Sequence, residues 1–377
     1  MTKRQLSLPV TESGNALLDA FDIGAGDEVI IPAYTCVVVP NALLYRGARP
    51  VYADIELHTF NLDPEKIESL ITPRTRAIVA QHTFGQPCQI ERIIEVARRH
   101  QLIVIEDCAH AIGATYQGRK LGTWGDAAFA STDHTKVIST SVGGFALTAS
   151  SEIAIKLKKI QTLAFRLPWH ARLRIICQYA ILAVLNRPSI YRLGRYAIAA
   201  GWKLNFWFYF RDELATDKPR LYPVQLSNFQ AYVGVHEMQA LDRNVLHRRT
   251  IADGLRKIFF PDQSKLPEGA YLRYSILVQS PKEWEDRIGG SFSIKNRWFT
   301  SIAHGRHNDL EKIRYHPGSC PNGEYAAMHV VNFPTHFRAD PLMVVRLRKL
   351  VEEHHLRETL VSDASLEQHR PAVAEVL

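Results

Sequence analysis

The sequence predicts an α/β protein, with a large domain built on a mostly parallel, doubly wound sheet and a smaller C-terminal α+β domain. From residue 16 the first half of the chain alternates helix-like and strand-like segments, the pattern of an open parallel sheet. The strand-like segments are uniformly apolar, as expected for strands that helices cover on both faces. The length of 377 residues is sufficient for two domains.

The predicted elements follow one another in short steps. The first helix, ALLDAFDI (16–23), is broken by GAGD (24–27) and followed by the strand EVIIPAY (28–34). Three more helix and strand steps come next: ALLYRGA (42–48) with PVYADIE (50–56), DPEKIESLI (63–71) with RAIVAQH (76–82), and IERIIEVARRH (90–100) with QLIVIEDCA (101–109). Because ligands gather at the carboxyl ends of strands in such sheets, the first candidate positions are Tyr34, His82 and Asp107.

The second half of the chain predicts the domain boundaries. Residues 228–257 have the pattern of one long amphipathic helix or two, which would connect the domains. We therefore expect a large domain over 1–240 and a small domain over 241–360. Residues 361–377 lose all periodicity, and we expect them to form a loose tail.

Composition and charge exclude several classes of protein. The hydrophobic content of 46% and the charged content of 22% are typical of a globular chain. Five cysteines without a CxxC spacing argue against a disulfide framework and a zinc site, so we expect no metal and a reducing cytoplasm. We expect neither secretion nor a membrane span, since no apolar run has the necessary length. The net charge of +8 permits an anionic partner, but no basic recognition helix or RNA-type aromatic motif indicates nucleic acid.

Residues 160–215 depart from the alternating pattern. They carry the runs IICQYAILAVL and GWKLNFWFYF. These runs are interleaved with arginines, namely Arg166, Arg172, Arg174, Arg187, Arg192 and Arg195. A surface of this kind suits peripheral contact with the inner membrane face, and it suits a covered oligomer interface as well. The sequence leaves both interpretations open.

Lys136 stands in the polar run STDHTKVISTSVGG (131–144), directly after the apolar AAFA. A solvated lysine before a glycine turn is the simpler interpretation. The functional one is a buried amine that forms a Schiff base with a carbonyl. If that carbonyl is the aldehyde of pyridoxal phosphate, the ring nitrogen needs an acid, the ring hydroxyl needs a donor and the phosphate needs hydroxyls. Asp107, His110 and Ser131 have this chemistry, although a helix N-cap and a core histidine would explain the first two.

Seven segments, in order and over most of the chain, resemble the DegT/StrS type of pyridoxal-phosphate-dependent sugar aminotransferase. They are GDEVIIPAYTC (26–36), GARPVYADIE (47–56), TPRTRAIVAQHTFGQP (72–87), VIEDCAHAIGATYQGRKLGTWGDAAFAS (104–131), the DHTK segment to Gly144, SNFQAYVGVHEMQALDRNVLHRR (227–249) and VVNFPTH (330–336). The resemblance implies the type I fold of aspartate aminotransferase, pyridoxal 5'-phosphate as cofactor and a homodimer. It also implies amino transfer from an amino acid such as glutamate to a keto sugar, nucleotide-linked, in polysaccharide or secondary-metabolite biosynthesis.

The resemblance also implies roles for individual residues. Lys136 matches the lysine that binds the cofactor aldehyde and moves a proton, and Asp107 matches the aspartate at the ring nitrogen. His110 matches the glutamine or histidine beside the ring hydroxyl, and Ser131 matches a serine that binds phosphate.

The N-terminal phosphate turn of the family, SerGlyThr, has two alignments on this chain. Without a gap it falls on PVT (9–11), and with a gap it falls on SGN (13–15). We prefer the ungapped alignment because it keeps the apolar face of the following helix in register. Thr11 is then a predicted phosphate contact.

The chain departs from the family pattern at three further positions. Cys36 stands where many relatives have an aromatic residue that stacks on the cofactor, and Tyr34 is the neighbouring ring that could compensate. Pro223 replaces an asparagine that reaches the phosphate across the dimer, with Gln225 close by. Val142 replaces a glutamate before the glycine pair.

Two other functions compete with transamination. A sugar dehydratase would use the same cofactor, but relatives with that chemistry replace the lysine with histidine, and Lys136 is intact. A non-catalytic paralogue would act as a partner in a complex or at a membrane surface through residues 160–215. The substitutions at the phosphate turn and at Pro223 motivate this second alternative.

Overall fold

A computed structural model describes residues 4–8, 10–185, 223–263, 265–292, 294, 297–305 and 309–361. The predictions that concern residues 186–215 and 362–377 lie outside this range, as do the side chains of residues up to 12.

A seven-stranded sheet forms the centre of the first half of the chain. Its strands are β1 (Arg4–Leu8), β2 (Glu28–Pro32), β3 (Arg49–Ala53), β4 (Thr75–Gln81), β5 (Ile103–Asp107), β8 (Ala127–Ser131) and β9 (Gly144–Thr148), and a small hairpin of β6 (Thr115–Tyr116) and β7 (Arg119–Lys120) precedes β8. The order across the sheet is β1-β9-β8-β5-β4-β2-β3. Strands β3, β2, β4, β5 and β8 are parallel, and β9 is antiparallel to both of its neighbours. The predicted α/β class with a mostly parallel sheet is confirmed.

Apolar cores cover the sheet on both faces. Side chains of a strand alternate between its faces, so Val29 and Ile31 of β2 lie in one core while Ile30 lies in the other. The helices of this half are α1 (Val10–Ala20), α2 (Val38–Leu44), α3 (Ile90–Arg99), α4 (Ser151–Leu163) and α5 (Trp169–Leu185). Helices α1, α2 and α4 close the first core, and α3 closes the second. This is the doubly wound arrangement that the apolar strands predict.

One predicted helix has a different structure. The segment DPEKIESLI forms two short 3₁₀ turns, Pro64–Lys66 and Glu68–Leu70. Its fully buried anchors, Pro64 and Ile67, are three residues apart, which suits the three residues per turn of a 3₁₀ helix. Glu65, Glu68 and Ser69 between and after these anchors are exposed, so a longer helix would bury no further apolar face there.

After α5 come β11 (Val224–Gln225), which pairs with β10 (Phe165–Arg166), and α6 (Asn228–Gln239). The rest of the chain forms a separate apolar core around the antiparallel pair of β12 (Arg273–Leu277) and β13 (Val330–Pro334). Its other elements are α7 (Leu241–Phe259), α8 (Pro281–Ile288), α9 (Pro321–His329), α10 (Pro341–Glu353) and a final 3₁₀ turn (Leu356–Thr359). The predicted helix over 228–257 is two helices that meet at Ala240. Phe259, Trp284 and Phe333 form the centre of the core. The domain boundaries at 240 and 360 stay predictions.

The helices in the described part of the chain are not membrane-spanning helices. Among the described residues, no helix has both the length and the apolar character that crossing a bilayer requires.

A buried charge network fixes the ends of two central strands. Glu106 of β5 and His82, which follows β4, have no exposed surface, and Oε2 and Nε2 lie 3.3 Å apart. The Glu106 carboxylate also accepts hydrogen bonds from the backbone N–H groups of Gly122, Trp124 and Gly125 at 2.7, 2.7 and 2.8 Å. Burial acts to raise the pKa of Glu106, but His82 and these N–H groups lower it below its ordinary value. Glu106 is therefore held as a carboxylate.

The imidazole of His82 is held as the Nε2–H tautomer. Its Nδ1 accepts the Cys88 N–H at 3.2 Å, so the ring proton is on Nε2, which lies 3.3 Å from Glu106 Oε2. The His82 and Glu106 hydrogen bond ties β4, β5 and the loop after β7 together.

We expect Glu106→Gln to lower the free energy of unfolding by about 3 kcal/mol, because it removes a buried carboxylate that four hydrogen-bond donors face. The pKa of Glu106 is lowered in the folded state, so its stabilising contribution is fully present above its ordinary pKa of about 4.5 and is lost as the pH falls through the lowered folded-state pKa. This part of the acid-side decline should be absent in the variant. Urea unfolding at about pH 7 and about pH 3 measures both effects.

Glu68→Gln is the matched control. Glu68 also pairs with a histidine, His100, at 2.9 Å, but this carboxylate is exposed to solvent. Its loss should cost less than about 1 kcal/mol. Equal losses of stability in the two variants would contradict the structural role of the buried pair.

Candidate active site

Four neighbouring strands, β8, β5, β4 and β2, have their carboxyl ends at one edge of the sheet. The loop of Lys136 follows β8, Asp107 ends β5, His82 follows β4 and Tyr34 follows β2. The amine of Lys136 and the carboxylate of Asp107 come from adjacent strands and interact electrostatically. This edge of the sheet is the candidate active site.

The turn that carries Lys136 is fixed from both sides. The two residues after it, Val137 and Ile138, are buried in an apolar core. From α7, Asn244 donates a hydrogen bond from Nδ2 to the Val137 carbonyl at 2.6 Å. The lysine side chain therefore leaves a rigid stretch of backbone.

The end of the same loop is also held in place. Gln230 of α6 donates a hydrogen bond from Nε2 to the Val142 carbonyl at 2.7 Å. Gly143 follows with a φ of 138°, where a Cβ would lie 2.7 Å from the Leu226 side chain and 3.1 Å from Thr132 Oγ1. Only glycine fits at this position.

The Lys136 amine is half-buried among charged and polar groups. Burial lowers its pKa, and the nearby Arg273 guanidinium acts in the same direction. Cys36, Asp133 and Asp107 act to raise the pKa, but the net result lies below the ordinary value for lysine. Lys136 therefore loses its proton more readily than a surface lysine.

Asp107 is a buried carboxylate that is only half satisfied. Within the described part of the chain its one hydrogen bond comes from the Ala109 N–H to Oδ1, at 2.9 Å. Burial raises the pKa of Asp107, whereas the Ala109 N–H, Lys136 and His82 act to lower it. The second oxygen is an acceptor for a further N–H group.

His110 lies between two aromatic rings and is neutral. Its ring centre is 6.2 Å from that of Phe84 and 5.8 Å from that of Trp298, and both pairs are stacked. Nδ1 accepts the Phe84 N–H at 3.3 Å, so the ring proton is on Nε2. Burial, together with the charges of Lys136 and Arg273, holds the pKa of His110 well below its ordinary value. His110 therefore offers one N–H donor, as the predicted role beside a ring hydroxyl requires.

A second carboxylate, Asp133, lies beside the lysine and was not identified from the sequence. Its Oδ1 accepts hydrogen bonds from His134 Nδ1 at 2.9 Å and from the Thr135 N–H at 3.1 Å. Its Oδ2 is buried and has no hydrogen-bond partner among the described residues. Burial acts to raise the pKa of Asp133, but His134 and Lys136 bring it below its ordinary value. The site thus holds a carboxylate with one oxygen available to a ligand.

Two residues from the second half of the chain complete the site, and sequence reasoning missed both. Arg273 Cζ lies 4.2 Å from the centre of the Trp298 indole, and Lys136 Nζ lies 5.2 Å from the same centre. Burial lowers the pKa of Arg273 to about 10. Asn332 of β13 fixes Trp298, whose backbone N–H donates to Asn332 Oδ1 at 2.5 Å. The sequence contains one local signal, an arginine at the start of the apolar strand RYSIL.

The aromatic ring beside the lysine amine is Trp298, and Tyr34 is a core residue. Tyr34 is fully buried, and its hydroxyl donates to the Phe299 carbonyl and accepts the Phe299 N–H, both at 2.9 Å. The backbone of Cys36 forms an isolated parallel bridge with that of His304. The indole of Trp298 is the aromatic surface next to the lysine amine.

The predicted phosphate contacts stay predictions. Ser131 is fully buried at the end of β8, and its hydroxyl accepts the Asp133 N–H at 3.3 Å. The side chain of Thr11 lies outside the described part of the chain. The alternative turn, residues 13–15, lies inside α1, where both amide atoms of Asn15 are buried without a hydrogen-bond partner among the described residues.

Pro223 and Gln225 make hydrogen bonds around the pair of β10 and β11. The Pro223 carbonyl accepts the Phe165 N–H at 2.8 Å. Gln225 donates from Nε2 to the Gln161 carbonyl at 2.7 Å. The amide of Gln225 is therefore engaged within its own chain.

The residues present fit pyridoxal phosphate. Lys136 supplies an amine, Asp107 a half-bonded carboxylate and His110 an N–H donor, which is the donor set that the ring requires. Unsatisfied polar atoms support this fit, since Asp133 Oδ2 and Ser141 Oγ are buried without partners in the described structure.

A cluster of metal-ligand type lies behind the site. His82, Glu106 and Cys108 offer ligand atoms within 4.8 Å of one another. However, Glu106 already accepts three backbone N–H groups, and His82 Nδ1 accepts the Cys88 N–H at 3.2 Å. Because these donors occupy the lone pairs that an ion would need, the cluster serves the fold.

The lysine, the aspartate and the histidine all lie in a region that matches a known family. Residues 10–173 match the sequence profile of the DegT/DnrJ/EryC1/StrS aminotransferase family. The predicted resemblance to this family is confirmed over these residues.

Individual relatives cover different shares of the chain. GDP-perosamine synthase of Caulobacter vibrioides is 49% identical over 144 residues, which are 38% of this chain and 39% of that protein. DesV of S. venezuelae has the same fold with a TM-score of 0.71 and 21% identity over 93% of this chain and 84% of that chain. Spr1654 of Streptococcus pneumoniae, solved in its PLP form, has a TM-score of 0.70 and 16% identity over 95% and 88%. The two structures confirm the fold class.

We expect opposite shifts of the Lys136 pKa in two variants. Asp107→Asn removes a negative neighbour, so the pKa of Lys136 should fall further below its ordinary value. Arg273→Gln removes a positive neighbour, so the pKa should rise towards that value. Competitive acetylation over a range of pH, read by mass spectrometry, measures this pKa without cofactor.

Lys156 is an internal control in the same samples. Its pKa is raised by Asp22 and Glu152, which neither substitution touches. Shifts of the same sign in both variants would mean that altered burial, and not charge, controls the amine.

Proposed function

We propose that the protein is a pyridoxal-phosphate-dependent aminotransferase that moves an amino group from an amino acid, glutamate in the first place, to a keto sugar. The observation that carries this proposal is the pairing of Lys136, an amine with a lowered pKa, with the half-bonded buried carboxylate of Asp107. The match to the family profile over residues 10–173 supports it. The PLP form of Spr1654, which has the same fold, supports the choice of cofactor.

When bound, pyridoxal phosphate supplies an electron sink for the carbon that carries the amino group. Lys136 then holds and moves the proton at its Nζ. Burial and Arg273 favour the neutral amine, which can accept a proton from the substrate carbon. Asp133 and Asp107 favour the ammonium form, which can return the proton. An amine placed between these influences serves both half-reactions.

The other residues hold the cofactor in this proposal. Asp107 would accept the N–H of the ring nitrogen with its second oxygen, while the N–H of Ala109 keeps the first oxygen in place. His110 would donate from Nε2 to the ring hydroxyl, and Ser131 and Thr11 would contribute to the phosphate site. Trp298 shields the amine of Lys136 from water.

Arg273 binds the carboxylate of the amino donor in this proposal. Its guanidinium and the lysine amine both lie against the Trp298 indole, so a carboxylate on the arginine would place its α-amino group close to Lys136. Burial of the guanidinium strengthens this charge-assisted pairing because little water competes.

The acceptor, in our proposal, is a nucleotide-linked keto sugar used in polysaccharide or secondary-metabolite biosynthesis. Support comes from the similarity to GDP-perosamine synthase over 144 residues and from the net charge of +8, which suits an anionic substrate. We also propose a cytoplasmic location, since all five cysteines are free thiols.

We further propose a homodimer that forms through α6. This helix exposes three apolar side chains at helical spacing, Tyr232, Val235 and Met238. An exposed apolar stripe on a helix next to the site suits a second copy of the same chain.

Lys136→Ala should lower the transamination rate by at least about 10³-fold, since it removes both the covalent anchor and the proton carrier. Borohydride reduction of the wild-type holoenzyme should attach the cofactor to the peptide of Lys136, as read by mass spectrometry. Lys156→Ala is the control and should keep both activity and label. A label on another lysine would contradict the proposed role.

Arg273→Gln should raise KM for glutamate by about 10- to 100-fold, the cost of one charge-assisted hydrogen bond pair, with a much smaller change in KM for the keto sugar. Arg119→Gln is the matched control, because Arg119 also lies over an indole, at 4.5 Å from Trp124, but is exposed. An unchanged KM for glutamate in Arg273→Gln would contradict the carboxylate site.

A further inference from the structure

We propose that helix α5 docks onto an anionic membrane surface and lies in the plane of that surface. Its outer face carries an apolar row that continues into the preceding turn. We call this row the α5 stripe: Leu163, Phe165, Trp169, Leu173, Ile176, Ala180 and Val184. All of its residues are exposed in the described structure.

The spacing of the α5 stripe places it on one side of the helix. Positions 169, 173, 176, 180 and 184 recur every three or four residues, so they share a face. The opposite face packs on the protein, where Ile175 and Gln178 are buried and Tyr179 contacts Phe229 of α6 at 5.7 Å between ring centres. The stripe is therefore turned away from the protein. It makes the outer side of this 17-residue helix apolar.

The described segment that carries the stripe has charge of a single sign. Residues 153–185 contain six lysines and arginines and no aspartate or glutamate. Two of these, Arg166 and Arg172, are exposed and are next in sequence to Phe165 and Leu173 of the stripe. An apolar face bordered by arginines can insert its side chains at the level of the acyl chains while the guanidinium groups remain at the lipid phosphates.

The same charge pattern disfavours the other occupants of this face. A symmetric dimer built on α5 would place the segment against its own copy, so that basic residues would face basic residues without acidic partners. A nucleic acid would match the charge, but its phosphates would leave the exposed aliphatic side chains without apolar contacts. An anionic lipid surface satisfies both the apolar stripe and its arginines. This inference does not depend on the proposed transamination.

Vesicle flotation tests the proposal with the full-length protein. The wild type should float with vesicles of phosphatidylcholine and phosphatidylglycerol and much less with phosphatidylcholine alone. The double variant Leu173→Asp/Ile176→Asp should bind at least about 100-fold more weakly, since two apolar side chains no longer leave water. Arg166→Ala/Arg172→Ala should bind the anionic vesicles about 30-fold more weakly, at about a factor of five per basic residue.

Leu342→Asp/Val345→Asp is the matched control, because these two side chains are equally exposed and apolar but lie on α10. It should float like the wild type. Thermal unfolding and oligomeric state are measured for every variant, so that loss of folding is recognised. A wild type that does not float, or a stripe variant that floats normally, overturns the proposal. A stripe variant that instead changes the oligomeric state identifies the face as a protein interface and also overturns it.

Discussion

The electrostatic surroundings of one half-buried amine are the constraint on which the candidate site depends. The pKa of Lys136 is set by burial and by groups from separate parts of the chain: Cys36 after β2, Asp107 on β5 and Arg273 on β12, with Asp133 in its own loop. These groups affect the pKa of Lys136 only because the sheet register and the packing of β12 bring them close to the amine. The fold therefore brings together the groups that lower the pKa of this amine below its ordinary value.

Glu106 and Asp107, which are adjacent at the end of β5, have different roles. Alternate side chains of a strand lie on opposite sides, so Glu106 and Asp107 cannot share one environment. Glu106 has all its acceptor capacity filled by His82 and three backbone N–H groups. Asp107 receives one hydrogen bond and keeps an oxygen for a ligand. A fully satisfied carboxylate stabilises the strand end, and the incompletely satisfied one beside it is free to do chemistry.

Sequence reasoning identified the parts of the site that carry local signals. The apolar strands and the acid at the end of one of them predicted the sheet edge and the position of Asp107 on it, whereas the roles of Lys136 and Asp107 came from the family resemblance. Trp298 and Arg273 are far along the chain and approach the lysine only through tertiary packing, which no local pattern encodes. The prediction of a helix over residues 63–71 was wrong, because the spacing of the two buried residues suits a tighter turn. The roles of Ser131 and Thr11 remain predictions from family resemblance.

Helices α6 and α7, which meet at Ala240, connect the two halves of the chain. Gln230 of α6 donates a hydrogen bond to the Val142 carbonyl of the lysine loop, and Asn244 of α7 donates one to the Val137 carbonyl. The distal half of α7 shares an apolar core with β12, the strand that carries Arg273. The loop of Lys136 and the strand of Arg273 are therefore both anchored on α7, so that one helix sets the spacing between the amine and the guanidinium.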